Sequence, residues 1–471
     1  MTPRDRQRWV VMKFGGTSVR DADAMRRVVH IVRAELEREL AGGGPPRRFP
    51  VVVASACAGV TDQLLACARA VGQGERDAAI TTLQAIGDHH RRVLADLSPI
   101  PEPAVACELD ALLDELDRLV DGVSLLEELT PRSTDLFASF GERLSTTLLS
   151  HAFSIAGMRA ATLDSRRVII TDGRHTEARP LMDEIDLRAR AVIGPLADGN
   201  DVVVAQGFIG STLDGVTTTI GRGGSDHSGA LLGAGLEAEE IQIWTDVSGI
   251  LTADPRVVPE ARVVRQVTFS EARELATFGA KVLHPDTIAP AVARRIPVVI
   301  RNSMRPDDTG TRILPDDTPL PPAIHSVSTR TDLLLIRLTP RRGSEGSGPP
   351  RAPQVLAAHD VPMLIYQLVE GNALAVVPRK AFDDVVMADL EETCLVAVRE
   401  NIALVCLCGV GMDEFPEGLA DAIDALRGRS IPLAASGPSR HAHLLAIDAD
   451  NVASAVKALH RRMFTAEPQP G

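Results

Sequence analysis

The sequence predicts an α/β protein: a largely parallel central sheet covered by helices on both faces, followed by a smaller α+β region. Three observations predict it. Residues 1 to about 315 alternate short β-branched runs with helical patterns, as a parallel sheet buried on both faces requires. The stretch RPDDTGTRILPDDTPLPP, Arg305–Pro322, then breaks the pattern with proline, aspartate and glycine and reads as a linker. Beyond it, apolar strands and short helices follow one another in the order of two small βαββαβ units, a weak internal repeat.

Taken in chain order, the candidate strands of the first region are Val10–Phe14, Val51–Ser55, Val168–Thr171, Val202–Gln206, Ile241–Trp244 and Val298–Arg301. Most are too apolar to have a wet face. From Thr61 to about Gly157 the pattern is helical, with apolar residues three and four apart. In STDLFASFGERLSTTLLSHAF, Phe137, Phe140, Leu144 and Leu148 form one stripe, and Glu142 lies off it with Ala138 and Ser145. After the linker come strands at Leu333–Leu338, Pro362–Leu368, Leu374–Val377, Ala403–Cys408 and Leu444–Ile447, with helices in EGLADAIDALRG and VASAVKALHRRMF. The insertion RRGSEGSGPPRAP reads as a flexible loop from its composition. The expected domains are therefore 1–315, with a helical insertion at about 62–157, and 316–471.

Composition narrows the function classes. At 471 residues and 45% hydrophobic side chains, the chain can bury a sizeable core. A net charge of −13, with no Lys/Arg run, argues against a nucleic-acid partner. No apolar run approaches the roughly 18 residues of a membrane span, and MTPRDRQRW lacks the apolar core of a signal peptide; the expectation is a cytoplasmic protein. Cys57, Cys67, Cys107, Cys394, Cys406 and Cys408 contain no C-x-x-C pair and read as buried free thiols. His441 and His443 alternate on one strand without a third ligand nearby in sequence, so no metal site is assigned.

Four motifs carry chemistry. In WVVMKFGGTSV, Lys13 precedes Gly15 and Gly16 at the end of an apolar strand, bringing a cation and bare amides to a helix start, an anion site. A tight strand-to-helix turn explains those glycines equally well. In TTTIGRGGSDHSGALLGAGL, Gly221, Gly223 and Gly224 permit close backbone approach, Arg222 can hold a carboxylate through two parallel bonds, and Ser225 and Asp226 open a helix. In IQIWTDVSGILTADPR, a strand ends in Thr245 and Asp246, and a loop carries Asp254 and Arg256, groups suited to a ribose, phosphates or magnesium. In EARELATFGAKVLHP, Lys281 follows Gly279 at a helix terminus as a second cation for phosphate charge.

KFGGTSV, GRGGSD, WTDVSGILTADPR and FGAKVLHP, in this order and spacing, resemble the aspartate kinases of the amino-acid kinase family over roughly residues 9 to 315. The tail resembles that family's paired ACT regulatory domains, ferredoxin-like α+β units. The resemblance implies a three-layer αβα catalytic domain, ATP-dependent phosphorylation of the side-chain carboxylate of L-aspartate with Mg2+, and the entry step to lysine, threonine and methionine synthesis. It also implies a homodimer or homotetramer joined through the ACT units, with an amino acid as effector. Residue by residue, it implies Lys13 and Asp226 as catalytic. Ser55, Thr61, Glu142, Arg222, Gly223, Gly224, Ser225 and Asp226 would hold aspartate, with Glu142 and Asp226 on its ammonium. Lys13, Gly15, Gly16, Thr245, Asp246, Arg256 and Lys281 would hold ATP.

Three departures qualify the resemblance. Leu251 stands where the family often has tyrosine in the nucleotide loop, and Cys57 where serine is commoner. Lysine-sensitive members usually read H-N-I-S-V-D at the first ACT strand, whereas this chain reads HDVPML at His359–Leu364 and carries the Gly/Ser/Pro insertion before it. Lysine inhibition through that site is therefore expected to be weak or absent. The competing readings are another amino-acid kinase, acting on glutamate, acetylglutamate or uridylate, and a catalytically silent amino-acid sensor. Paired Glu142 and Asp226 argue for a free ammonium, and retention of Lys13, Arg222 and Asp226 argues against the sensor. The 150 or so residues after the linker suffice for the ACT pair and leave no room for a fused second enzyme.

Overall fold

The computed structural model describes residues 8–40, 48–100, 102–221, 223–279, 285–341, 349–412 and 416–464. The chain forms two compact units, Met1–Gly249 with His284–Pro315, and Ile250–Leu283 with Asp316–Gly471.

The first unit runs β1 (Arg8–Phe14), α1 (Ala22–Leu40), β2 (Arg48–Ala54), α2 (Val60–Gly72), α3 (Arg76–Leu97), α4 (Pro103–Leu126), α5 (Pro131–Ile155), β3 (Ala160–Leu163), α6 (Met182–Ala197), β4 (Val202–Gln206), β5 (Ile209–Ser211), β6 (Thr217–Thr219), α7 (Gly224–Leu236) and β7 (Glu240–Thr245). After β8 (Gln266–Thr268) and α8 (Phe269–Thr277), which belong to the second unit, it resumes with α9 (Ala289–Ala293), β9 (Val298–Asn302) and β10 (Thr311–Leu314). Its sheet has the order β3-β4-β2-β1-β7-β9-β10, parallel except for β10. From β1 the chain builds toward β2 and β4 on one side and later β7 and β9 on the other. The carboxyl ends of β2, β1 and β7 therefore border a topological switch point, where open α/β sheets bind ligands.

Continuous apolar strands follow from burial on both faces: Val10, Val11, Met12, Val51, Val52, Val53, Val202, Val203 and Val204 are fully buried. The expected stripe of α5 is equally buried and packs with α2, α3 and α4 into one core.

Two expectations need correction. Val168–Thr171 is not a strand of this sheet; Ile170 and Thr171 form single bridges to Ser211 and Pro180. The sheet edge is instead Ala160–Leu163, which pairs with β4. Asp164 ends that strand by accepting from the Arg166 amide in a tight turn, and this diverts the following apolar run. Within the expected linker, Thr311–Leu314 pairs with β9, and the units divide between Pro315 and Asp316. The compact units do not follow the expected domains throughout, since Ile250–Leu283 falls in the second unit.

The second unit continues with β11 (Ala323–Pro340), α10 (Ala352–Ala358), β12 (Ile365–Val369), β13 (Asn372–Pro378), α11 (Asp384–Glu391), β14 (Cys394–Val410), α12 (Pro416–Arg427), β15 (Ala435–Ser439), β16 (Ala442–Asp448) and α13 (Val452–Phe464). One antiparallel sheet has the order β12-β13-β11-β14-β16-β15. The two long strands serve both halves. Leu333–Leu338 pairs with β13, and the earlier part of β11 pairs with Val405–Val410, whose strand also carries β16. Each half thus borrows a strand from the other, with separate cores around Ile336 and Val377 and around Val405 and Leu445. The outer strand β15, ASGPS, was not expected; its glycine and proline suit only an edge. Most of the Gly/Ser/Pro insertion lies outside the described residues.

Candidate active site

Lys13 is the penultimate residue of β1, level with Val53 of β2 and Ile243 of β7. Its neighbours hold the strand ends together. The Gly15 amide donates to the Trp244 carbonyl (3.1 Å), and the Ser55 amide donates to the Phe14 carbonyl (3.1 Å). Of the two glycine amides expected at a phosphate, that of Gly15 is therefore committed to β7. Gly16 lines the cleft beyond, and a Cβ there would lie 2.8 Å from the Ala56 carbonyl, so only glycine lets the β1 turn rest on the β2 turn.

Lys13, Gly16, Ser55, Thr61, Glu142, Gly223, Gly224, Ser225 and Asp226 line a single cleft of about 600 Å³ within the first unit. Helix α7 opens into it. Gly223 takes the left-handed conformation (φ 75°) at the helix cap, and Gly229 brings α7 so near β1 that a Cβ would lie 3.2 Å from the Lys13 Cβ. That approach sets Lys13 Nζ 2.6 Å from Asp226 Oδ1, with the lysine side chain 9% exposed and the aspartate 22%. The cation is thus preorganised beside a helix N-terminus, where negative charge is favoured.

Glu142 faces the pair from α5. It is 2% exposed, and its Oε1 accepts from the Ala56 amide at 3.1 Å. Oε2 is buried without a partner among the described residues. Gly141 makes this possible, because a Cβ there would lie 2.7 Å from the Ala56 Cβ. Burial pushes the Glu142 carboxyl up to about 8, against the opposing pull of the Ala56 amide and the Lys13 charge. A buried carboxylate with one free oxygen is a receptor for a cation. Ser145, on the same helix face, donates to the Ser55 carbonyl (2.7 Å) and ties α5 to the β2 turn.

Thr245 and Asp246 leave β7 beside the glycine turn, with Thr245 Oγ1 3.2 Å from Asp246 Oδ1. The Thr245 carbonyl accepts from the Ser303 amide (2.8 Å), and Ser303 Oγ lies 2.7 Å from Ser18 Oγ. Trp244 stacks on Phe14 at 5.8 Å. Arg256 belongs to the second unit, where its exposed guanidinium pairs with Asp254 (2.6 Å) and holds that carboxyl below its ordinary range. Arg222 and Lys281 lie outside the described residues.

Sequence reasoning missed Asp135. It lines the same cleft at 1% exposure and accepts from Thr219 Oγ1 (2.5 Å), the Thr176 amide (2.9 Å) and His175 Nδ1 (2.7 Å). The signal was its spacing, since positions 135, 138 and 142 fall on one helix face. One thiol departs from expectation: Cys107 is exposed, while the other five are buried and free. Cys57 lines the cleft, and burial pushes its thiol up to about 12, which keeps it protonated at neutral pH. Among the described residues, no group of three His, Cys, Asp or Glu could hold a metal ion, and no helix is long and apolar enough to cross a membrane.

The profile of the Amino acid kinase family matches residues 8–302. The chain is 33% identical over 478 residues to the lysine-sensitive aspartokinase 3 of Escherichia coli (strain K12), covering 97% of this chain and 99% of that one. It is 31% identical to the chloroplastic aspartokinase 3 of Arabidopsis thaliana, over 96% of this chain and 81% of that one. Among solved structures, it resembles E. coli aspartokinase III in complex with aspartate and ADP (R-state), with TM-score 0.74 and 32% identity over 97% of this chain and 100% of that one. The lysine and aspartate complex of the same enzyme (T-state) gives TM-score 0.76 and 32% identity, over 97% of this chain and 99% of that one.

Proposed function

Because the chain belongs to the amino acid kinase family, we propose that it is an aspartate kinase, converting ATP and L-aspartate to ADP and 4-phospho-L-aspartate. The observation that carries this reading is the cleft in which the Lys13–Asp226 pair faces the unpartnered buried oxygen of Glu142. An α-amino acid brings an ammonium for Glu142 and Asp226. Its α-carboxylate suits Arg222, with Ser55, Thr61 and the amides of Gly223 and Ser225 around the carboxylates; the Gly224 amide is committed to the Gly221 carbonyl (3.0 Å).

The acceptor is a carboxylate, already ionised at neutral pH, so attack on the γ-phosphorus needs no general base. One carboxylate oxygen bonds to phosphorus as the bond to the ADP oxygen breaks. Catalysis then rests on alignment and charge stabilisation. Lys13 takes that role beside the Gly16 amide, and Asp226 holds its ammonium in place. Thr245 and Asp246, at the end of β7, are the nucleotide's partners. Magnesium, when bound, neutralises phosphate charge. The exposed Asp246 would be its protein ligand, in keeping with its habit of binding through one or two carboxylates and the substrate phosphates.

The second unit, with its interleaved halves, suits a pair of ACT units that bind an amino-acid effector and join copies into a homodimer or homotetramer. The enzyme would act in the cytoplasm at the entry to lysine, threonine and methionine synthesis. Incubation with ATP, magnesium and aspartate, glutamate or acetylglutamate, with hydroxylamine as acyl-phosphate trap, tests the assignment. A hydroxamate with aspartate is expected, and one with glutamate but not aspartate would overturn it.

A further inference from the structure

Helix α5 contributes two buried carboxylates to the cleft, and their surroundings differ. Glu142 has a free oxygen, whereas Asp135 is saturated: Oδ1 accepts from Thr219 Oγ1 and the Thr176 amide, and Oδ2 from His175 Nδ1. The saturated carboxylate has little capacity left for a ligand. Its three donors come from two other segments. Thr219 ends β6 two residues before Gly221, and its carbonyl accepts from the Ala178 amide (3.0 Å). Thr176 sits in the left-handed region at φ 73°, unfavourable for a β-branched residue, so its neighbours must hold it there. Gly221, also left-handed, packs on this segment, with its Cβ position 3.5 Å from the Thr176 carbonyl. Asp135 therefore clamps both segments that flank the start of the glycine turn leading into α7.

Resting on the aspartate kinase reading, we propose that Asp135 is a positioning residue for substrate binding. It fixes the glycine turn of α7 against α5, and so sets the span between Glu142 on one element and Asp226 on the other. The two carboxylates that receive the substrate's ammonium stand on separate helices. The clamp acts at their shared end, away from the β1 and β7 strand ends that would receive the nucleotide. Loosening it widens the acceptor half of the site and leaves the phosphate half in place.

The test uses full-length Asp135→Asn, Asp135→Ala, Thr219→Val and Thr219→Ser, with folding followed by thermal melting and turnover by hydroxamate formation. Wild-type turnover on aspartate establishes the reading first. Its absence with every acceptor would overturn that reading, and the clamp's role with it. Given wild-type turnover, both Asp135 variants are expected to raise KM for aspartate at least about tenfold, the scale of one charged hydrogen bond, with kcat falling less and KM for ATP within about twofold. Thr219→Val is expected to raise the same KM by several-fold, and Thr219→Ser to restore it. Should Asp135→Asn not fold, the Thr219 pair carries the same comparison, since it alters a single hydroxyl. A folded Asp135→Asn or Thr219→Val with wild-type KM for aspartate would overturn the inference. So would KM values for aspartate and ATP rising in step.

Discussion

Lys13 Nζ lies 2.6 Å from Asp226 Oδ1, although one residue is next to last in the central strand and the other lies in the first turn of a helix packed across it. The contact exists because Gly229 lets α7 approach to within a Cβ of Lys13. An ion pair that is largely buried costs desolvation to form, and removing one partner costs more than removing both.

Lys13→Ala is expected to leave the fold intact and to lower turnover at least about a hundredfold, the scale of losing one preorganised donor at a developing charge. It strands the Asp226 carboxylate, so a thermal melt should place Lys13→Ala below the Lys13→Ala, Asp226→Asn double variant. Equal melting temperatures would contradict the buried pair, and near-normal turnover would contradict the catalytic role.

Glu142 gives a pH signature. Its carboxyl is raised to about 8 by burial, so from the ordinary carboxylate range up to about 8 the folded chain keeps a proton that the unfolded chain has lost. Stability of the ligand-free protein therefore falls as pH rises through that window, then levels off. Glu142→Gln removes that part of the slope. In the same window KM for aspartate should fall with rising pH, because the ammonium requires the ionised carboxylate. Melting curves and steady-state kinetics at matched pH check both signs.

Gly141→Ala adds a methyl whose carbon would lie 2.7 Å from the Ala56 Cβ. The helix must retreat from the β2 turn, breaking the Glu142 contact to the Ala56 amide. Overpacking of this kind costs about 1–3 kcal/mol. The expected result is a lower melting temperature together with a raised KM for aspartate and an unchanged KM for ATP.

The second unit bears on regulation. Leu364, at the position where the resemblance implies an aspartate in lysine-sensitive members, has its amide committed to the Val376 carbonyl (2.9 Å). It offers no charge to an effector's ammonium. Assays with millimolar lysine or threonine are expected to show weak lysine inhibition through this site, in contrast to the E. coli relative whose name records lysine sensitivity. Strong lysine inhibition that disappears on mutation of residues 359–364 would contradict this.

Much of the cleft was legible because its parts are local: a lysine before two glycines, a glycine cluster before a helix, and a glutamate off an apolar stripe. What the residues could not announce was commitment by distant partners. Gly15 reads as a phosphate amide until β7 claims it, and nothing local in the sequence shows that β6 and the 175–176 loop saturate Asp135. The fold shows the same division. Val168–Thr171 has the composition of a strand, yet a cap at Asp164 diverts it, while Ala-rich β3 is a strand only through pairing with β4. Ile250–Leu283 follows a sheet strand without a composition break, so its membership of the second unit had no local signal.

On the proposed reading, Glu142 receives an ammonium in the cleft that Lys13 and Asp226 share. The most direct measurement is kcat/KM for aspartate against succinate, which lacks only the ammonium, in the wild type and in Glu142→Gln. The wild type is expected to favour aspartate by at least about a hundredfold, as a site with an unpaired buried polar group does, and Glu142→Gln to lose most of that preference. A Glu142→Gln enzyme that discriminates as well as the wild type would contradict the account.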